Sequence, residues 1–254
     1  MILFNTNKCK DILMLSKNQI KLIKSLSQKK FREQHGLFTV EGIKGITEFL
    51  NSSYKLNHIY TTEAVFDCPE DLYSLVSEAD LKRISNLKSP NTALAVFRVG
   101  EEQALPTSGL IVALDAVRDP GNLGTIIRLC DWFGIRDLVC SKTTVDCYNS
   151  KVVQASMGSL TRVNIHYTDL DDFVKTSTLT TFGTFLDGDH IYATNLPSEG
   201  IIILGNEANG ISDDLAGYLD KRITIPQFGN LKATESLNVA TATAIILSEF
   251  KRAQ

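Results

Sequence analysis

The spacing of apolar residues divides the chain into two stretches with different rhythms. In the first, Ile20, Ile23 and Leu26 recur on one side of a segment whose other side is lysine-rich, and Ser16 stands just before it. This pattern predicts a capped helix running to about Ser27. Residues 37–40 (Leu-Phe-Thr-Val) predict a strand. Residues 41–51 predict a helix with Ile43, Ile46, Phe49 and Leu50 as its apolar stripe, and residues 58–61 a second strand. Residues 71–76 predict a short helix, Ser77 the cap of another over 78–86, and residues 92–99 a third strand. The order α-β-α-β-α-α-β describes a small α/β unit of about 100 residues, an ordinary domain size.

Residues 100–109 are polar and carry Pro106 and two glycines, which marks a linker. Beyond it strands are expected at 110–114, 137–140, 162–165, 181–186, 201–204 and 223–225, of which 110–114 and 201–204 are unbroken apolar runs. Helical patterns at 123–133, 149–157, 170–175, 212–219 and 236–251 alternate with them. Buried strands interleaved with helices predict a parallel sheet covered on both faces. The expected domains are residues 1–104 and 105–254, with no internal repeat.

Composition narrows the function classes. Of 254 residues 43% are hydrophobic, enough for a sizeable core, and no apolar run reaches transmembrane length. The amino-terminal MILFNTNKCKDILML has no charged region followed by a long apolar stretch and a small-residue cleavage site, so a cytoplasmic protein is expected. The five cysteines are odd in number and show no CxxC spacing, so neither a zinc cluster nor a disulfide framework is expected. Net charge is −3, yet residues 1–35 carry Lys8, Lys10, Lys17, Lys21, Lys24, Lys29, Lys30 and Arg32 against Asp11 and Glu33. Such a stripe can meet phosphate, or can simply be a solvated helix face.

Common catalytic motifs are absent. There is no GxGxxG, no GxxxxGK[ST], no HExxH and no GxSxG, and the four histidines show no ligand spacing. Polar residues concentrate instead in three segments at strand ends, where open α/β sheets bind ligands. In the first, 114–128, Pro120-Gly121 turns the chain, Asn122 stands at a helix start, and Gly124 in the first helical turn calls for a close backbone neighbour. Arg128, set among Ile126, Ile127 and Leu129, calls for an acidic or phosphate partner or a structural ion pair. In the second, 203–212, Gly205 permits close approach of a ligand, and Glu207 is a candidate base, hydroxyl acceptor or partner of Arg128. In the third, 225–238, Ser236 fits a helix cap and Asn238 follows in the first turn.

In this order and spacing the three segments resemble the motifs of SpoU-type RNA 2′-O-ribose methyltransferases of the SPOUT (α/β-knot) superfamily. Asn122, Gly124 and Arg128 match the first motif; Gly205, Asn206, Glu207 and Gly210 the second; Ile225, Pro226, Ser236, Leu237, Asn238 and Val239 the third. Ala208 replaces a common glycine, and residues 229–235 make the third loop longer than in many members. The likeness covers about residues 108–254. Phe38-Thr39-Val40-Glu41-Gly42 more weakly resembles the start of the L30e-like RNA-binding domain that often precedes this catalytic domain.

The resemblance implies a trefoil-knotted sheet and S-adenosyl-L-methionine held by Leu204, Gly205, Asn206, Gly210, Ile225, Ser236 and Leu237. It implies methyl transfer to a ribose 2′-hydroxyl with Arg128, Asn122, Glu207, Ser236 and Asn238 as the catalytic set. Because arginine is a poor base, Arg128 is expected to stabilise a developing alkoxide or position a phosphate. Ribosomal RNA is favoured over transfer RNA, and a non-catalytic RNA-binding or assembly protein is the alternative. Lys21, Lys24, Lys29, Lys30 and Arg32 are the expected RNA contacts. A homodimer is expected, with Val239, Ala242, Ile245 and Ile246 of the last helix supplying apolar surface, and neither a metal nor a membrane as partner.

Overall fold

The computed structural model describes residues 12–90, 92–229 and 236–252. The chain divides into two compact units, residues 1–100 and 101–254. Lys8, Cys9, Lys10, Asp11 and most of the long third loop, residues 230–235, lie outside the described residues.

In the first unit α1 (Lys17–Ser25) begins with a reciprocal cap: Ser16 Oγ accepts from the Gln19 amide, and Gln19 Oε1 accepts from the Ser16 amide at 2.9 Å. α2 (Lys29–His35) is absent from the sequence expectation because it has no apolar stripe; of its residues only Phe31 and Arg32 turn inward. It stops at Gly36, whose φ of 62° is left-handed. There follow β1 (Leu37–Glu41), α3 (Ile43–Leu50), β2 (Leu56–Thr61), β3 (Tyr73–Leu75), α4 (Glu78–Ile84) and β4 (Ala93–Arg98). The sheet order is β1-β4-β2-β3, antiparallel except between β2 and β3.

Strand alternation sends Phe38 and Phe97 to one face, where they meet Phe49 of α3. Leu37, Leu94 and Val96 go to the other, beneath α1 and α4. The expected helix at 71–76 is instead a short 3-10 turn, Glu70–Leu72, followed by β3. Pairing with β2 and burial of Tyr73 outweigh the local helical pattern there.

The second unit runs β5 (Leu110–Leu114), α5 (Pro120–Trp132), β6 (Asp137–Ser141), α6 (Ser150–Ser156), β7 (Asn164–Thr168), α7 (Leu170–Thr176), β8 (Thr181–His190), β9 (Gly200–Leu204), α8 (Asp213–Ala216), β10 (Lys221–Thr224) and α9 (Val239–Arg252). All six strands are parallel, in the order β10-β8-β9-β5-β6-β7. β5 and β9 are buried from end to end, as their unbroken apolar runs require. One face packs on α7 and α8 through Phe173, Val174 and Leu215. α5 packs against both α6 and α9, and Phe182 of β8 meets Phe250 of α9 edge-on at 5.2 Å.

The chain first builds outward from β5 through β6 to β7. It then crosses back and lays down β8, β9 and β10 on the other side of β5. The strand order therefore reverses between β5 and β9. The loops that leave their carboxyl ends diverge there and open a crevice, the usual ligand site of an open parallel sheet. No described helix is long and apolar enough to cross a membrane.

Candidate active site

The loop after β5 is fixed from three sides. The Asp115 amide donates to Leu204 O of β9 at 2.9 Å, extending the ladder, while its Oδ2 accepts from the Ser212 amide at 2.8 Å. Ala116 adopts φ 55°, and its amide donates to Ser141 Oγ at 2.9 Å. Asp119 then caps α5 by accepting from the Asn122 amide at 2.8 Å, and Pro120 occupies the first helical position. The helix thus starts three residues earlier than its apolar pattern indicates. Asn122 is not the cap, which frees its side chain. The Asp-Pro pair was the legible signal for that start, and Asp115 and Asp119 are the residues that sequence reasoning passed over. Gly124 has the close neighbour its position demanded: a Cβ there would lie 2.5 Å from the Ala155 Cβ and 2.9 Å from Val152 O of α6.

The loop after β9 folds on itself. Asn206 and Gly210 exchange backbone hydrogen bonds, and Asn206 Oδ1 accepts from the amides of Ala208 and Asn209. A Cβ on Gly205 would fall 1.9 Å from the Gly210 carbonyl carbon. The glycine is therefore required by its own loop, a close approach that the sequence expectation assigns to a ligand alone. This closed turn projects Glu207 outward toward α5.

The third segment supplies Asn238, whose Oδ1 accepts from the amides of Ala240 at 3.0 Å and Thr241 at 3.2 Å. Asn238, not Ser236, is the cap of α9, and the helix begins at Val239. Ser236 is exposed and makes no hydrogen bond among the described residues.

The three segments meet in one chain of hydrogen bonds. Asn238 Nδ2 donates to Asn122 Oδ1 at 2.9 Å, and Asn122 Nδ2 donates to Glu207 Oε1. The amide orientations follow by elimination. The oxygen of Asn238 is committed to the helix amides, so only its nitrogen can face Asn122. The oxygen of Asn122 is then taken, so only its nitrogen can face Glu207. The partial positive charge at the start of α9 is thereby relayed through two carboxamides to a carboxylate. Glu207 is exposed, and only its Oε1 is engaged by Asn122 among the described residues.

Arg128 lies on α5 one and a half turns beyond Asn122. It is exposed, and among the described residues it makes neither a hydrogen bond nor an ion pair. Of the three roles that the sequence leaves open for Glu207, the partner of Arg128 is not the one seen: its Oε1 meets Asn122 instead. Ile225 and Pro226 are half-buried just past β10, and Leu237 is 48% exposed. Among the described residues no group of three or more His, Cys, Asp or Glu is placed to hold a metal ion.

In the first unit Lys21, Lys24, Lys29 and Lys30 are exposed, and Lys29 lies 3.7 Å from Glu33. Arg32 does not join them. It is 3% exposed, and its Nη1 donates to Leu26 O at 2.9 Å and Ser27 O at 3.0 Å, closing the end of α1. The sequence pattern shows the charge but not the neighbouring helix terminus that consumes it.

These features place the chain among known proteins. Residues 109–248 match the SpoU rRNA Methylase family, and residues 17–95 match the MRM3-like substrate binding domain. The chain belongs to the SpoU rRNA methylase family. It is 31% identical over 242 residues to the 23S rRNA (guanosine(2553)-2′-O)-methyltransferase RlmP of Bacillus subtilis, covering 91% of this chain and 96% of that one. Its structure is similar to that of a TrmH-family RNA methyltransferase from Porphyromonas gingivalis, with a TM-score of 0.88, 39% identity and coverage of 95% and 100% of the two chains. It is also similar to an AdoMet-bound rRNA methyltransferase from Sinorhizobium meliloti, with a TM-score of 0.83, 29% identity and coverage of 96% and 97%.

Proposed function

We propose that this protein is an S-adenosyl-L-methionine-dependent methyltransferase acting on a ribose 2′-hydroxyl of ribosomal RNA. The observation that carries the reading is the Asn238–Asn122–Glu207 chain, which gathers all three motif segments at the strand-order reversal, with Arg128 exposed on the adjoining helix and without a partner among the described residues. S-adenosyl-L-methionine, when bound, supplies an electrophilic methyl group. Leu204, Gly205, Asn206, Gly210, Ile225, Ser236 and Leu237 line its place, with Ile225 and Leu237 supplying apolar contact. Glu207, oriented by Asn122, accepts a hydrogen bond from the ribose hydroxyl through its second oxygen. Arg128 offers a fixed positive charge to the developing alkoxide or the adjoining phosphate. A committed network and a free cation are complementary: one orients the nucleophile, the other stabilises the charge that forms on it.

Residues 1–104 serve as the RNA-binding domain, with Lys21, Lys24, Lys29 and Lys30 facing phosphates, and residues 105–254 as the catalytic domain. We further take the carboxyl-terminal part of the sheet to be threaded as a trefoil knot, the protein to be cytoplasmic and to act without metal, and the catalytic domain to pair with a second copy. Of the residues expected at that contact, Val239 and Ile246 are consumed by the unit's own core, which leaves half-buried Ala242 and Ile245 together with Trp132, 84% exposed at the end of α5. The deciding experiment is incubation with methyl-labelled S-adenosyl-L-methionine and ribosomal RNA, followed by mapping of ribose methylation. Label in one ribose 2′-oxygen is expected; absence of transfer refutes the reading.

A further inference from the structure

Tyr192 and Phe228 stack on the surface of the second unit, with ring centroids 6.4 Å apart and planes 27° from parallel. Phe228 is 81% exposed and Tyr192 45%. Single apolar residues on a surface need no explanation, but two large rings set side by side in an offset stack and left to water are a costlier arrangement. The fold sets their place. β8 and β10 are parallel neighbours with His190 paired to Thr224, and Tyr192 lies two residues beyond β8 while Phe228 lies four beyond β10. Both rings stand at the carboxyl end of the sheet, the end that carries Asn122, Glu207 and Asn238. Phe228 also shares a loop with Ile225 and Leu237.

The surroundings restrict what can bind. Nearby charges are of both signs, with Arg222 joined to Asp187 at 2.7 Å and Asp189 exposed, which disfavours a seat for phosphate. The flanking residues Ala193, Asn195 and Gly229 are small or polar and exposed. Two rings with small or polar neighbours offer far less than the roughly 800 Å² per partner that a stable protein interface needs. A flat ring with one open face fits a flat partner that brings its own π-surface and needs no counter-charge.

We propose that the Tyr192–Phe228 pair is a stacking platform for an unpaired base of the RNA substrate, close to the nucleotide presented to the candidate site. The proposal rests on the methyltransferase reading above. Proteins that recognise single-stranded RNA splay bases onto aromatic side chains in this manner. Here the platform would hold the strand beside the crevice without using a charge.

The test is a fluorescence titration of the full chain with a short single-stranded RNA carrying one 2-aminopurine. Quenching on binding is expected. Phe228→Ala and Tyr192→Ala should each weaken binding about tenfold, or about 1.4 kcal/mol, with thermal melts unchanged. Phe228→Trp should bind at least as well as the parent. The dependence of affinity on salt should keep its slope in every variant, because no phosphate contact is lost. Unchanged affinity in both alanine variants overturns the proposal, as does a lowered salt slope. So does a change confined to sedimentation, which would make the rings a surface for a second copy. The two readings fail separately. Parent protein that binds RNA through these rings yet transfers no label sinks the methyltransferase reading alone. Label transfer with ring variants that bind normally sinks the platform alone.

Discussion

Arg32 and Arg128 each lie on a helix beside apolar residues, and their surroundings differ completely. Arg32 is buried, and its guanidinium closes the exposed carbonyls at the end of α1. Arg128 is exposed and has no partner among the described residues. A guanidinium brings five donors in a fixed fork. Those of Arg32 are engaged by carbonyls of its own unit, whereas Arg128 is exposed with no partner among the described residues, which is the contrast that its proposed role draws on. The lysines do not divide in this way: Lys21, Lys24, Lys29 and Lys30 are all exposed, Lys29 lying 3.7 Å from a likewise exposed Glu33.

Several measurements can break this contrast. The largest effect should be that of Arg128→Ala, which should lower single-turnover methylation by about 10²–10³-fold while thermal stability and cofactor affinity hold. A variant that melts early yet remains active once folded would place Arg128 in the scaffold. Arg32→Met should do the opposite: unfolding in denaturant should show a loss of about 1–3 kcal/mol, because two carbonyls lose charged donors, with normal activity in the folded fraction. Asn238→Ala belongs to both classes. Loss of the cap should cost about 1 kcal/mol in a melt. The freed Asn122 should also lower kcat more than it raises the KM for RNA, an outcome that a cap alone would not produce.

The lysines give a smaller signal. Neutral replacements at Lys21, Lys24 and Lys30 should each lower the salt slope of RNA binding by about one unit, and a constant slope would return this face to plain solvation. The smallest expected effect concerns the thiols. Burial pushes the Cys130 and Cys140 thiols well above their ordinary range, with neighbouring Asp131 and Cys147 acting in the same direction. Above that range they are protonated at any neutral pH, so alkylation at pH 8 should leave both unlabelled until the chain unfolds.

Much of the second unit was legible in advance because a strand buried on both faces must be apolar throughout, and residues 110–114 and 201–204 are. Periodicity carries no such information where burial is partial. The segment 71–76 looks helical by itself and becomes a strand only because β2 offers it an edge. Residues 29–35 form a helix that no stripe announces. At the site, the residue types were legible but their partners were not. Gly205 signals a close approach without saying that its own loop makes it, and Asn122 and Ser236 both fit a cap although Asp119 and Asn238 take those places. Spacing reports which side chains share an element. It says little about which element a side chain will reach across to.

The bond from Asn238 to Asn122 joins positions 116 apart in the chain. Contacts of such separation form late, since the intervening chain must lose its freedom before they can hold. During synthesis, a polypeptide that already contains β5, α5 and the Glu207 loop still lacks the group that sets the Asn122 amide. The crevice acquires its polarity only when α9 has been made and has docked. The order in which α5 and α9 appear therefore sets when the two carboxamides can align.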